Sequence, residues 1–230
     1  MPEIKICGIT AEEEMRWLIE EQVEYAGFVI WEKSRRYCTA AKAKEIFNKF
    51  RSDGIKKVAV TVSPEPEFVR EIEDAGFDIL QVHGELKQEV AEQIKIPIWR
   101  AVNLNGWEEL EEARQKIALE TGYRKGVIRA VLADAKEYGS GKTFGWDSFK
   151  AGEEKLQQTY PRFRKELEDQ QIAFILAGGL NEANVKRGIS IFKPDIVDVS
   201  SGVEKEEIGE TGQGKDRMKI KEFVQCVRRE

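Results

Sequence analysis

The sequence predicts one closed (β/α)8 barrel spanning residues 1–230. Eight short β-rich runs alternate along the chain with longer segments of helical periodicity. Each intervening segment is long enough for the crossover that two parallel strands require. No Pro/Gly/Ser-rich linker divides the 230 residues, so the units belong to one domain. A doubly wound open sheet is the alternative that the same alternation allows.

The predicted strands are Ile4–Cys7, Gly27–Trp31, Lys57–Val62, Ile79–His83, Ile98–Val102, Val127–Asp134, Phe174–Ala177 and Ile196–Ser200. Between them, apolar residues recur at helical spacing. The first intervening segment carries Met15, Leu18, Ile19 and Val23 on one stripe, and the last carries Ile220, Phe223, Val224 and Val227. The charged runs Glu108–Arg114 and Tyr160–Asp169 read as wet faces of outer helices.

Composition narrows the chemistry. The chain is 41% hydrophobic and 34% charged, which excludes disorder as its main state. Its net charge of −5 argues against nucleic acid as a partner. No apolar run approaches the length of a membrane span, and Met1-Pro2-Glu3-Ile4-Lys5 has no leader-like pattern. Three cysteines (Cys7, Cys38, Cys226) without CxxC spacing fit a reducing, cytoplasmic compartment. A single histidine excludes metal sites built from several imidazoles and leaves His83 without a nucleophile motif around it.

In a barrel the site lies at the C-terminal strand ends. Strand periodicity turns Ile4 and Ile6 toward the helices and Lys5 and Cys7 toward the interior, where a buried lysine needs an anionic neighbour. The same alternation turns Asp134 inward with Leu132. Two loops offer backbone amides to a phosphate: Gly178-Gly179 leading to a helix start near Asn181–Asn184, and Ser200-Ser201-Gly202. Gly139-Ser140-Gly141-Lys142-Thr143 is not a nucleotide-binding loop, because Lys136 stands where that motif needs glycine. It reads as a loop beside Asp134. Arg36 can grip a carboxylate with its planar fork.

Taken together, these strand ends resemble the phosphoribosylanthranilate isomerase family. The similarity is carried by Lys5-Ile6-Cys7-Gly8-Ile9-Thr10, by Gly27-Phe28-Val29 with Lys33-Ser34 and Arg36-Tyr37, and by Gln81-Val82-His83-Gly84-Glu85. It continues through Asp134 with Gly139–Phe144 and Trp146, Leu176–Asn181 with Asn184-Val185, and Asp198–Glu204 with Gly214-Lys215-Asp216. The resemblance implies an Amadori rearrangement of N-(5′-phosphoribosyl)anthranilate to the 1-deoxyribulose 5-phosphate derivative. It implies Asp134 as general acid, Cys7 as thiolate general base supported by Lys5, and Arg36 on the anthranilate carboxylate. Gly178, Gly179, Ser200, Ser201 and Gly202 would form the phosphate site, and His83 would line the mouth. No cofactor is implied, and the expected assembly is a monomer or homodimer. The sequence departs from the family pattern at Gly145, where aspartate usually precedes the tryptophan, at Glu32, where proline is common, and in a short Asp134–Gly139 loop followed by a Glu-rich helical insertion around Gly152 to Asp169. An altered-specificity or non-catalytic sugar-phosphate barrel is the alternative.

Overall fold

The computed structural model describes residues 1–50, 54–103, 107–134, 154–206 and 214–229. Its sheet is a closed parallel barrel in sequence order, completed where β1 (Glu3–Cys7) pairs with β8 (Ile196–Val199). Between these lie β2 (Tyr25–Val29), β3 (Lys56–Val62), β4 (Ile79–His83), β5 (Ile98–Asn103), β6 (Ile128–Asp134) and β7 (Ala173–Leu176). The crossover helices are α1 (Glu12–Glu20), α2 (Ala40–Asn48), α3 (Pro66–Ala75), α4 (Gln88–Gln93), α5 (Trp107–Thr121), α6 (Glu154–Asp169) and α7 (Val185–Phe192). The helix α8 (Arg217–Arg228) follows β8. Among the described residues, no helix is long and apolar enough to cross a membrane.

Two apolar layers result from the strand period of two. Ile4, Ile6, Phe28, Leu80, Val131 and Phe174 pack outward against the helices. Val58, Val60, Trp99, Ala101, Leu132 and Ile175 fill the interior. Slipping a strand by one residue would exchange these sets and turn Lys5 into the helix layer, so register is strongly fixed. Each large aliphatic or aromatic side chain buried in either layer contributes roughly 1.5–3 kcal/mol.

Helix ends follow local chemistry. Thr39 accepts the Lys42 N–H at the start of α2, and Asp216 accepts those of Met218 and Lys219 at the start of α8. Helix α3 opens on Pro66 and closes on Gly76, whose φ of 95° suits the left-handed position.

Three sequence expectations need correction. The second strand was expected at Gly27–Trp31 but runs Tyr25–Val29, because Tyr25 and Ala26 already pair with Lys5 and Ile6. Past Val29 the chain turns, with the Ser34 N–H donating to the Trp31 carbonyl. Strands seven and eight each end one residue early, leaving Ala177 and Ser200 in loops. The helix expected as an insertion around Gly152 to Asp169 is α6, the regular β6–β7 crossover. It buries Phe163 and Leu167, and Glu166 ties it to Arg114 of α5 at 2.6 and 2.9 Å. The loop carrying Gly139–Thr143, Gly145 and Trp146 lies outside the described residues.

Candidate active site

Lys5 and Cys7 point into the barrel together. The missing side chain of Gly27, the register partner of Cys7, makes room for both: a Cβ there would lie 3.0 Å from Cys7 Sγ and 3.1 Å from Lys5 Cε. The anionic neighbour that Lys5 requires is Asp198, its register partner on β8, whose carboxylate accepts from the Lys5 ammonium at 2.8 Å. Sequence reasoning required this anion without naming it. The signal was present, since Asp198 is the inward carboxylate of the otherwise apolar Ile196–Val199. Burial pulls the Lys5 pKa down, but Asp198 and Cys7 outweigh it and hold the ammonium charged.

The thiolate expected at Cys7 is not what the free protein favours. Burial pushes the Cys7 thiol up; Lys5, Lys215 and Arg36 pull it down, while Asp198 offsets part of the Lys5 effect. The balance leaves Cys7 above an ordinary cysteine, so it keeps its proton at neutral pH.

Arg36 is not a solvated loop residue. It is 11% exposed, and Glu204 holds it on two nitrogens, Nε at 2.5 Å and Nη2 at 3.1 Å. Glu204 also meets Arg35 at 2.8 Å and Lys215 Nζ at 3.1 Å. Three cations therefore surround one carboxylate, giving this rim a local positive excess within an acidic protein. Burial pushes Glu204 up, but Arg36 and Lys215 prevail and hold it down at about 2. Arg36 is held above its ordinary value because Glu204 overcomes burial, with Cys7 and Asp134 adding. That shared influence puts the thiol, the guanidinium and the Asp134 carboxyl in one electrostatic neighbourhood. Asp134 itself is half-buried at the C-terminal end of β6, in register with Asn103.

The loops after β7 and β8 meet backbone to backbone. Gly178 and Gly179 adopt φ of 82° and 64°, open to glycine and strained for other residues. Asn181 and Asn184 lock the following turn: the Asn181 N–H donates to Asn184 Oδ1, and Asn184 Nδ2 to the Gly179 carbonyl. A Cβ on Gly202 would lie 2.0 Å from the Leu180 carbonyl oxygen, so only glycine permits this approach. Ser201 and Gly202 open a short 3-10 turn, Ser201–Val203. Ser200, expected in the phosphate loop, has its hydroxyl turned elsewhere: Oγ donates to the Cys7 carbonyl at 2.9 Å.

His83 ends β4 facing the interior, but it is enclosed rather than open at the mouth. Its Nε2 lies 2.9 Å from the Gln81 amide nitrogen, an acceptor role that requires the neutral ring. Burial, with Lys5 and Arg100 nearby, depresses its pKa to about 3. In the unfolded chain the ring protonates near pH 6.5, so stability present above that pH is lost as pH falls toward 3. At pH 5 the loss from His83 is on the order of 2 kcal/mol. Urea unfolding of His83→Gln between pH 7 and 5 should show a correspondingly flatter decline than the parent protein; equal slopes would contradict a buried neutral ring.

A closed parallel barrel whose C-terminal rim gathers a thiol, a carboxyl, an arginine and two glycine-formed loops has the arrangement of a (β/α)8 enzyme. The comparisons narrow that class. Residues 4–226 match the family model for N-(5′-phosphoribosyl)anthranilate (PRA) isomerase. The chain is 35% identical to the N-(5′-phosphoribosyl)anthranilate isomerase of Aquifex aeolicus, with 100% of both chains covered. It is 34% identical to that of Clostridium acetobutylicum, covering 100% of this chain and 99% of the relative. Its fold is similar to the Thermotoga maritima enzyme, with TM-score 0.78, 28% identity and 99% of both chains covered. It is also similar to a phosphoribosyl anthranilate isomerase in complex with reduced 1-(o-carboxyphenylamino)-1-deoxyribulose 5-phosphate, with TM-score 0.74, 26% identity and 99% coverage of both. The chain belongs to the N-(5′-phosphoribosyl)anthranilate isomerase family.

Proposed function

We propose that this protein catalyses the family's Amadori rearrangement in tryptophan biosynthesis, with Asp134 as general acid and Cys7 as general base. Asp134 gives a proton to the furanose ring oxygen, the C1′–O bond breaks, and the anilino nitrogen lone pair forms the iminium. Cys7, as thiolate, then takes the C2′ proton, and those electrons neutralise the iminium to an enolamine. In the tautomerisation to the ketone the enol O–H proton goes to Asp134 and the Cys7 proton goes to C1′, which gives the deoxyribulose product and restores both groups. The observation that carries this reading is that Cys7 ends β1 and Asp134 ends β6 at the same rim of one closed barrel, where Glu204 holds Arg36.

Arg36 would hold the anthranilate carboxylate while Glu204 fixes its other edge. Amides around Gly178, Gly179, Ser201 and Gly202 would hold the phosphate, remote from the bonds that change, so its binding energy orients the sugar. Lys5 would act chiefly as a fixed charge beneath Cys7, since Asp198 occupies it. Arg36→Ala should raise KM about tenfold or more with a smaller fall in kcat, measured by steady-state kinetics. An unchanged KM would remove Arg36 from substrate binding.

The direct test is turnover. The purified protein with N-(5′-phosphoribosyl)anthranilate should consume the substrate's anthranilate-type fluorescence in the presence of EDTA. No loss above the uncatalysed rate would contradict the proposal.

A further inference from the structure

Lys215 has no part in the chemistry above, yet it is buried where the groups of the site converge. It lies just before α8 and is 0% exposed. Its ammonium meets three acceptors: the Ser200 carbonyl at 3.1 Å, Ser200 Oγ at 3.3 Å and Glu204 Oε1 at 3.1 Å. Three acceptors match the three N–H bonds of a charged ammonium. Ser200 Oγ in turn donates to the Cys7 carbonyl, and Glu204 grips Arg36.

Gly8, which follows Cys7, marks the point of contact. A Cβ there would lie 2.6 Å from Arg36 Cδ and 3.3 Å from both Lys215 Nζ and Ser200 Oγ. The lysine is pinned at its backbone as well. Its N–H donates to Glu14 Oε1 at 2.6 Å, and Glu14 Oε2 takes the N–H groups of Thr10 and Ala11 in the loop after Cys7. Glu204 and Lys215 face each other across an antiparallel bridge.

We propose that Lys215 is a positioning residue for Cys7: its ammonium ties the ends of β1 and β8 to the Glu204–Arg36 pair and supplies positive charge that favours the thiolate during turnover. The proposal rests on Cys7 being the base. Burying a charged lysine, even one paired with Glu204, costs free energy that an apolar residue would not, and a merely structural tie could be made by apolar packing. Charge at this spot therefore has to be of use to a neighbour. The charged groups facing Cys7 are Lys5 from β1, Asp198 from β8, Arg36 from the β2 loop and Lys215. Asp198 offsets part of the Lys5 charge, while Arg36 and Lys215 share the single carboxylate of Glu204. Burial lowers the Lys215 pKa and, with Arg36, outweighs the raising influence of Glu204 and Cys7, so it lies below that of an ordinary lysine.

The test follows Cys7 directly. Iodoacetamide labelling of Cys7, read by mass spectrometry across pH 6 to 10, reports the thiolate without requiring turnover; kcat/KM across the same range reports the base in the reaction. Lys215→Met should move both rising limbs up by about one pH unit, with kcat/KM about tenfold lower at pH 7 and recovering as pH rises. Lys215→Arg, which keeps the charge, should leave both limbs near the parent position. Should Lys215→Met not fold, Lys215→Gln, which can still donate to Ser200, carries the same expectation. Limbs that stay in place in the neutral variants, or move equally in Lys215→Arg, would overturn the proposal. A labelling shift in a protein with no turnover would instead locate the failure in the assigned reaction.

Discussion

Cys7→Ala is expected to lower kcat by roughly 10²–10⁴-fold while KM changes little. Among the described residues, neither Lys5 nor His83 can take over the C2′ proton easily. Lys5 is bound to Asp198 as an ammonium, and His83 accepts from Gln81 and resists protonation down to about pH 3. The fold should survive, because removing one sulfur from the barrel top leaves the Lys5–Asp198 pair and both apolar layers in place. Thermal unfolding checks this. The parent enzyme should also gain activity as pH rises from neutral, since burial holds the thiol protonated. A Cys7→Ala enzyme with near-parental kcat would remove the thiol from the mechanism.

Asp134→Asn is expected to cost a comparable roughly 10²–10⁴-fold, for a different reason. The amide keeps the shape of the carboxyl but has no proton to give the ring oxygen. Deuterium at C2′ separates the two losses. The residual reaction of Cys7→Ala should slow several-fold with deuterated substrate, because the affected step breaks that bond. The residual reaction of Asp134→Asn should be insensitive, because ring opening limits it. Equal isotope effects in the two variants would mean that the roles are wrongly divided.

The inward direction of Cys7 and the closed barrel were legible in the sequence, because strand alternation and the eightfold order of elements dictate them. What was not legible lies in contacts between residues far apart in the chain. The Lys5–Asp198 pair joins residues 193 positions apart, and the Arg36–Glu204 pair residues 168 apart. Strand periodicity gives the direction of each side chain but not which distant partner it meets. The same limit explains Ser200: its place in a glycine-bearing loop suggested phosphate, whereas barrel closure of β8 onto β1 brings its hydroxyl to the Cys7 carbonyl. The state of the Cys7 proton was also beyond reach, since it depends first on burial and then on how far Asp198 cancels Lys5. The α6 segment looked like an insertion against the family pattern, yet Phe163 and Leu167, with Tyr160 packed beside them, anchor an ordinary crossover.

The most direct measurement is a crystal structure of this protein with a non-reacting phosphorylated analogue of the substrate. The phosphate should rest against the main-chain nitrogens of Gly179 and Ser201, with Cys7 Sγ and the Asp134 carboxyl approaching the sugar from opposite sides. A phosphate bound elsewhere, or either side chain turned away from the sugar, would contradict the account.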